Sequence, residues 1–365
     1  MKIIHCADLH LDSRLSAHFD RNTARKRRTE LLENFSRLFR WAEENQAESI
    51  LIAGDLFDTD YVSASASNLV LDVIREYREI TCYYLKGNHD RTDVFSDRED
   101  LPENLKTFSE EWTSYDISEK VRLYGRELTR GNAARIAEGL ETDPEKVNIV
   151  MLHGQASKSR SEAGIPVYLE ALSGKNIDYL ALGHLHSFMT ERVDERGRWA
   201  YSGCLEGRGF DETGEKGFVL LEIDPETGWL DSRFVPFARR RLFTLTADVT
   251  GCVNSYEMIA ACRKVLEASE ASPEDLCRIC LTGEVDAGCE KDLLLIRSLL
   301  DDDRYYLEVR DETRYRIDPE AYRYDETLTG EFIRSVMQDP ALTEDEKAHV
   351  IRAGLQALRN EEVQP

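Results

Sequence analysis

No apolar run in this 365-residue chain approaches the roughly 20 residues that cross a bilayer. The opening Met1-Lys2-Ile3-Ile4-His5-Cys6 goes directly into a strand pattern and does not have the character of a targeting segment. On these grounds no membrane-spanning helix is expected, and the cytoplasm is the expected compartment. A disulfide framework is also missing. The eight cysteines are scattered, and Cys6 and Cys82 lie inside apolar patterns that suit reduced, buried thiols. The one C-x-x-C, Cys277-Arg278-Ile279-Cys280, has no second pair at zinc-finger spacing and reads as part of a strand. Positive charge is scarce: the formal net charge is −23, a poor match for a nucleic-acid partner, which needs Lys and Arg at its phosphates. The acidity is uneven, since residues 251–365 hold 26 acidic against 14 basic side chains. Two basic runs stand out, Arg25-Lys26-Arg27-Arg28 and Arg239-Arg240-Arg241, and a solvated helix face is the commoner explanation of such runs. There is no internal repeat and no low-complexity segment.

What is present is an ordinary globular composition, 41% hydrophobic and 32% charged, with room for one large and one smaller domain. Continuous apolar runs predict strands at 2–7, 49–53, 81–85, 121–124, 147–152 and 177–182. Helical spacing predicts amphipathic helices over 25–45 and 65–78, and a short helix is expected near Leu105–Trp112. Strands that are apolar throughout and alternate with helices point to βαβ units and sheets covered on both faces. From Phe188 to Phe237 the sequence becomes β-rich with turns such as Glu195-Arg196-Gly197, and antiparallel strands are expected. After Arg241 a second α/β unit begins: strands at 243–249, 276–285 and 305–309, helices at 255–268 and 289–300. Two helices broken at Asp339-Pro340 follow, and the second carries Ala348, Ile351, Leu355 and Leu358 at helical spacing. The expected divisions are 1–238, 239–326 and 327–365.

The chemistry lies where the apolar runs stop. Gly183-His184-Leu185-His186 closes one of them, and residues two apart on an extended backbone point to one face, so both imidazoles can aim at one site, for which a metal is the first idea to test. Alone, that pair leaves a metal site and a structural role both open. Four further runs end in the same manner, at Asp8-x-His10, Gly54-Asp55-x-x-Asp58, Gly87-Asn88-His89-Asp90 and His153. Five of the eight histidines fall in these clusters. In open α/β sheets the ligand site lies beyond the carboxyl ends of the strands, where all five clusters would be.

In this order the clusters resemble the calcineurin-like metallophosphoesterases, whose pattern D-x-H, GD-x-x-D, GNH[DE], H, GH-x-H is matched at every position. Within that family the chain resembles the SbcD/Mre-type DNA repair nucleases, nearest to the bacterial YhaO-like branch. Finer cues are Asp8-Leu9-His10-Leu11-Asp12-Ser13, the run Leu51–Asp58 and, further on, Arg278-Ile279-Cys280-Leu281-Thr282-Gly283. The resemblance implies an α/β fold: a two-sheet sandwich flanked by helices, a smaller α/β capping domain and C-terminal helices.

It also implies two divalent ions, Mn²⁺ or Fe by the mixed O/N donor set. Asp55 would bridge them; Asp8, His10 and His186 would complete one site, and Asn88, His153 and His184 the other. His89 would protonate the leaving oxygen with Asp58 orienting it. For His89 the plain alternative is a turn residue, and for Asp58 a helix cap or loop carboxylate. Gly54 and Gly183 are expected to let backbone pack beside the ions. His5 and His18 match no motif position and are expected to be structural or surface residues, and His349 to be solvated. DNA is the implied substrate. An SMC-like (SbcC/YhaN-type) ATPase is the implied partner, docked through the cap or the C-terminal helices, whose apolar face could instead pack on the cap. A homodimer is a further expectation of the resemblance. Two other functions stay open: a phosphoesterase of nucleotides or other small phosphodiesters, which the acidity favours, and a non-catalytic scaffold.

Overall fold

The computed structural model describes residues 1–58, 62–90, 94–95, 98–157, 165–224, 226–286, 289–301, 304–316 and 322–358. Parts of the expected 91–119 loop and the last seven residues of the expected tail lie outside the described residues. The chain divides into two compact units, Met1–Arg241 and Leu242–Pro365.

The first unit is a sandwich of two six-stranded sheets. Its elements in chain order are β1 (Lys2–Cys6), α1 (Arg21–Glu44), β2 (Ser49–Ala53), α2 (Ala64–Glu76), β3 (Thr81–Leu85), β4 (Leu105–Thr107), β5 (Thr113–Asp116), β6 (Val121–Gly125) and β7 (Val147–His153). There follow β8 (Gln155–Ser157), β9 (Pro166–Tyr168), α3 (Leu169–Leu172), β10 (Tyr179–Gly183), β11 (Met189–Arg192), β12 (Arg198–Tyr201), β13 (Gly217–Ile223) and β14 (Leu230–Pro236). One sheet runs β14-β13-β1-β2-β3-β4 and the other β11-β12-β10-β7-β6-β5.

Strand parity explains the continuous apolar runs. Ile3, Leu51, Ala53, Ile149, Met151, Tyr179 and Ala181 point into the space between the sheets. Val150, Leu152, Leu180 and Leu182, of opposite parity, pack in an outer layer with Leu169 and Leu172 of α3. β1, β2 and β3 are parallel neighbours, as are β7 and β10, so five strands release the chain at one end of the sandwich.

Two expectations fail here. The segment expected to be helical near Leu105–Trp112 is extended: β4 pairs with β3, and the Asn104 side chain donates to the Ile74, Tyr77 and Ile80 carbonyls, pinning the segment at the sheet edge. The 188–237 region is not wholly antiparallel either. β11 and β14 are antiparallel to β12 and β13, but β12 joins β10 in parallel, because the β11 hairpin returns the chain alongside β10.

The second unit contains β15 (Leu242–Asp248), α4 (Ser255–Ala268), β16 (Leu276–Thr282), β17 (Glu284–Asp286), α5 (Leu293–Leu300), β18 (Tyr306–Asp311), β19 (Arg314–Arg316), α6 (Leu328–Met337) and α7 (Glu344–Leu358). β15, β16 and β18 form a parallel sheet, and Cys277 and Cys280 lie within β16. Ile333 and Val336 of α6 and Ile351 and Leu355 of α7 are buried in the same cluster as Ala247, Ile279 and Val309. The apolar spacing of α7 is thus used within this unit, while Leu358 is 40% exposed. No helix among the described residues is long and apolar enough to cross a membrane.

One core residue ties the sheets of the first unit together. His5 of β1 is fully buried, with Nδ1 2.9 Å from the Tyr179 hydroxyl of β10. Burial lowers its pKa from 6.5 to about 3, a backbone hydrogen bond at Leu182 only partly opposing it. Below pH 6.5 the unfolded chain therefore takes up a proton that the folded chain refuses, and stability is lost as pH falls toward 3. His5→Gln, which does not titrate, should lose about 1.4 kcal/mol less than the parent between pH 7.5 and pH 5.5 in urea unfolding. Equal losses in both proteins would show that His5 accepts its proton in the fold.

Candidate metal centre

The five strand ends deliver their polar residues to one place. Asp8 and His10 follow β1, Asp55 and Asp58 follow β2, Asn88 and His89 follow β3, His153 ends β7, and His184 and His186 follow β10. The turns there are sharp. Asp8, His10, Asp55 and His184 all have positive φ, at 53°, 46°, 51° and 116°, conformations that cost about 1–3 kcal/mol each in non-glycine residues. Bonds between the turns hold them: Asp8 N donates to Gly54 O and His10 N to Asp55 O, each at 3.0 Å. His184 N donates to both Asp8 carboxylate oxygens, and His89 N to Asp55 Oδ1 at 2.8 Å.

Three of the imidazoles are anchored by their outer nitrogen. His153 Nδ1 is 2.9 Å from Ala53 O, His186 Nδ1 is 2.7 Å from Glu212 Oε1, and His10 Nδ1 is 3.1 Å from Asp58 Oδ1. The His10 contact is off the line of a good hydrogen bond, so it orients that ring less firmly than the other two. An Nδ1–H directed outward leaves Nε2 as a lone pair directed inward. The inward atoms then face one another. His10 Nε2 lies 3.1 Å from His186 Nε2, His153 Nε2 is 3.3 Å from Asp55 Oδ2 and 3.0 Å from Asn88 Oδ1, and His184 Nδ1 is 3.1 Å from Asn88 Oδ1. Lone pairs crowded this closely repel unless a proton or a metal ion lies between them; a proton does so between His153 and Asp55, and the set as a whole fits divalent ions. Asp8, His10 and His186 converge as one group and Asp8, Asp55 and His153 as another, with Asp55 Oδ2 also 3.9 Å from His10 Nε2. All seven expected residues are brought together; Asp8 is common to the two groups, and Asp55 Oδ2 lies 3.3 Å from His153 Nε2 and 3.9 Å from His10 Nε2.

The electrostatics follow the same geometry. Burial works to raise the Asp55 pKa but is outweighed by the bond and charge of His153 and by His10, which hold it well below the usual carboxylate range. His153 moves up to about 9, since the Asp55 carboxylate overrides the opposing effect of burial. His184 is lowered by burial and by the neighbouring His153. His89 sits on the open side, 47% exposed, with Nδ1 3.3 Å from Asp58 Oδ1, and that contact raises its pKa.

Other residues are plain in the structure but were not singled out in the sequence. Arg208 spans two carboxylates, at 3.2 Å from Asp58 Oδ1 and 2.9 Å from Glu212 Oε1. Glu212 fixes the His186 ring, and Ser13 donates to Asp58 at 2.7 Å. Buried Asp90 accepts from the Leu56, Phe57 and Gly87 amides and so joins the turns after β2 and β3. Asp90 carries a signal, as the last residue of Gly87-Asn88-His89-Asp90; Arg208 and Glu212 lie in no motif. A Cβ on Gly54 would strike the His153 ring, and one on Gly183 would strike Ala53 O, so both make room for protein atoms that seat His153. His18 lies apart from the centre, 4.0 Å from Asp211, and His349 is on exposed α7 surface beside Arg352.

The sequence profile of the calcineurin-like phosphoesterases matches residues 1–188, and the chain belongs to that family. Members of that family typically hold two divalent ions, which the donor set described above fits. A similar protein is "Uncharacterized metallophosphoesterase YhaO" of Bacillus subtilis (strain 168), 29% identical over 238 residues. That match covers 61% of this chain and 57% of the relative, so the chain spans less than two thirds of the relative's length. Among solved structures, TT1561 of Thermus thermophilus is 12% identical with a TM-score of 0.41, covering 64% of this chain and 98% of that one. A dimetal phosphatase from Danio rerio is 10% identical with a TM-score of 0.39, covering 64% and 96%.

Asp55→Ala should lower bound metal, measured by elemental analysis, and abolish hydrolysis of every phosphodiester tested; normal loading with more than a few percent of the rate would remove Asp55 from between the ions. Glu212→Ala should weaken metal affinity about 10–100-fold by freeing the His186 ring. Unchanged metal affinity in that variant would leave Glu212 a merely structural neighbour.

Proposed function

We propose that the chain is a Mn²⁺-dependent phosphodiesterase of DNA, an exonuclease working in repair in the cytoplasm. The observation that carries this is the one-sided burial of the centre. Asp8, His10, Asp55 and His153 are at most 3% exposed, whereas Asn88 and His89 face solvent. A centre open on its leaving-group side can receive a phosphate within a long chain, which an enclosed pocket would exclude. Similarity to an uncharacterized metallophosphoesterase supports the phosphoester chemistry alone, and the mixed O/N donor set suits Mn²⁺. The eight free cysteines suit a reducing compartment.

When bound, two divalent ions supply Lewis-acid activation of the phosphate and of water. The chain's own residues do the remaining work. Asp55, beside both His153 and His10, fixes the separation of the two sites. His89, projecting at the open side, donates a proton to the departing oxygen, and its Nδ1 contact with Asp58 keeps the ring oriented and favours the protonated form. Arg208 and Ser13 hold Asp58 in position from the other side.

The net charge of −23 favours a second reading, hydrolysis of nucleotides or other small phosphodiesters. A metal-free scaffold would not need so complete a donor set. An SMC-like ATPase partner is carried by the family resemblance alone. It would engage the second unit through a surface other than Ile351 and Leu355, which that unit's core already uses.

His89→Gln should retain bound metal and lose about 10²–10⁴-fold in rate, with Asp58→Asn a weaker version of it. Loss of metal in His89→Gln would instead make His89 a ligand. The substrate class is tested with Mn²⁺ on labelled single- and double-stranded DNA beside bis(p-nitrophenyl) phosphate. Shortening of DNA supports the nuclease; turnover of the small diester with intact DNA would favour the second reading.

A further inference from the structure

Within the strongly acidic chain, residues 13–29 hold six cations, Arg14, Arg21, Arg25, Lys26, Arg27 and Arg28, against the single carboxylate of Asp20. The structure separates these cations into two kinds. Arg27 is fully buried, bonded to Glu30, Glu206 and Gly207 O, and belongs to the core. Arg28 reaches across to Asp12, in the loop that carries Asp8 and His10. Arg14, Arg21, Arg25 and Lys26 are exposed, and among the described residues none of their side chains is ion-paired. The other basic run differs, since Arg239 and Arg240 are engaged with Glu33 and Glu30. Asp20 caps α1, its carboxylate accepting from Asn22 N, Thr23 N and the Thr23 hydroxyl.

Placement gives the unpaired cations a direction. Arg21, Arg25 and Arg28 recur at i, i+4 and i+7 and therefore share one face of α1. The Arg28–Asp12 pair sets that face against the loop of the centre. Arg14, two residues beyond Asp12, lines a cleft of about 460 Å³ together with Ser13, Leu15, His18, Asp58 and Arg208. Asp58 is the carboxylate beside His89, so the cleft ends at the open side of the centre. Leu15 is buried with φ 55°, and this left-handed turn fixes the loop on which Arg14 projects. Of the carboxylates of the cleft, Asp58 and Glu212 share Arg208, and Asp211 lies 4.0 Å from His18 Nδ1.

We infer that Arg14, Arg21 and Arg25 form a basic track that holds the phosphate backbone of a polynucleotide while one of its phosphates occupies the centre. This rests on the DNA reading above and deepens it, because it assigns a phosphate-binding surface to a strongly acidic chain. Phosphate contacts of this kind are independent of base sequence, and each releases a counterion.

The test is binding of a fluorescent single-stranded oligonucleotide across a salt series, with Mn²⁺ and in a His89→Gln background so that the strand survives the measurement. Neutralising Arg14, Arg21 and Arg25 to Ala should lower the slope of log K against log[salt] by about two, at roughly 0.7 per contact. Affinity near 0.1 M salt should fall tenfold or more. The control is Arg78→Ala, Arg130→Ala and Arg192→Ala, an equal change of net charge at exposed positions elsewhere in the same unit. It should leave the slope unchanged. Equal effects of the two triple variants, or none from either, would overturn the track while leaving the nuclease reading intact. Absence of any binding by the unsubstituted background would overturn both.

Discussion

The arrangement of the first unit depends on an electrostatic conflict. Two buried carboxylates, Asp8 and Asp55, and the inward lone pairs of several imidazoles crowd together, with His10 Nε2 and His186 Nε2 only 3.1 Å apart. Such a set is unstable by itself and becomes favourable when cations share it. The neighbouring architecture serves to maintain the conflict. Ala53 O and Glu212 anchor outer ring nitrogens, and amide donors saturate the remaining carboxylate lone pairs. Four donors are held in left-handed backbone that their own side chains disfavour. The strain is tolerated because the turns bond to one another and to buried strands.

Five parallel strand ends make this feasible. A single loop could not bring seven donors together without long unsupported chain. Each strand contributes one or two residues from a rigid terminus, and the close-packed sandwich behind fixes the separations. Stability and function are thus joined at the same residues. Gly54 and Gly183 illustrate the connection, since each is demanded by the seating of His153 against a neighbouring strand.

Much of this was legible in the sequence. An apolar run ending abruptly in Asp, His or Asn reports a buried strand that ends in polar donors, and the five such runs named the residues that the structure brings together. Strand positions were legible for the same reason: residues buried on both faces leave continuous apolar runs. The illegible parts depended on contacts distant in sequence. Glu212 and Arg208 act through one bond each to His186 and Asp58, from a loop with no local pattern. β4 took the place of an expected helix because Asn104 bonds three carbonyls at the end of α2, which periodicity cannot reveal. The basic run at 25–28 looked uniform in sequence, yet burial places Arg27 in the core and leaves Arg25 in solvent.

The central claim is that the facing donors are two adjoining metal sites sharing Asp55. Its most direct test is an anomalous difference map, recorded at the manganese edge, from crystals grown with Mn²⁺. Two peaks about 3.5–4 Å apart are predicted. One should lie within bonding distance of Asp8, His10, Asp55 and His186, and the other within reach of Asp55, Asn88, His153 and His184. A single peak, or manganese bound elsewhere while His10 and His186 remain in direct contact, would contradict it.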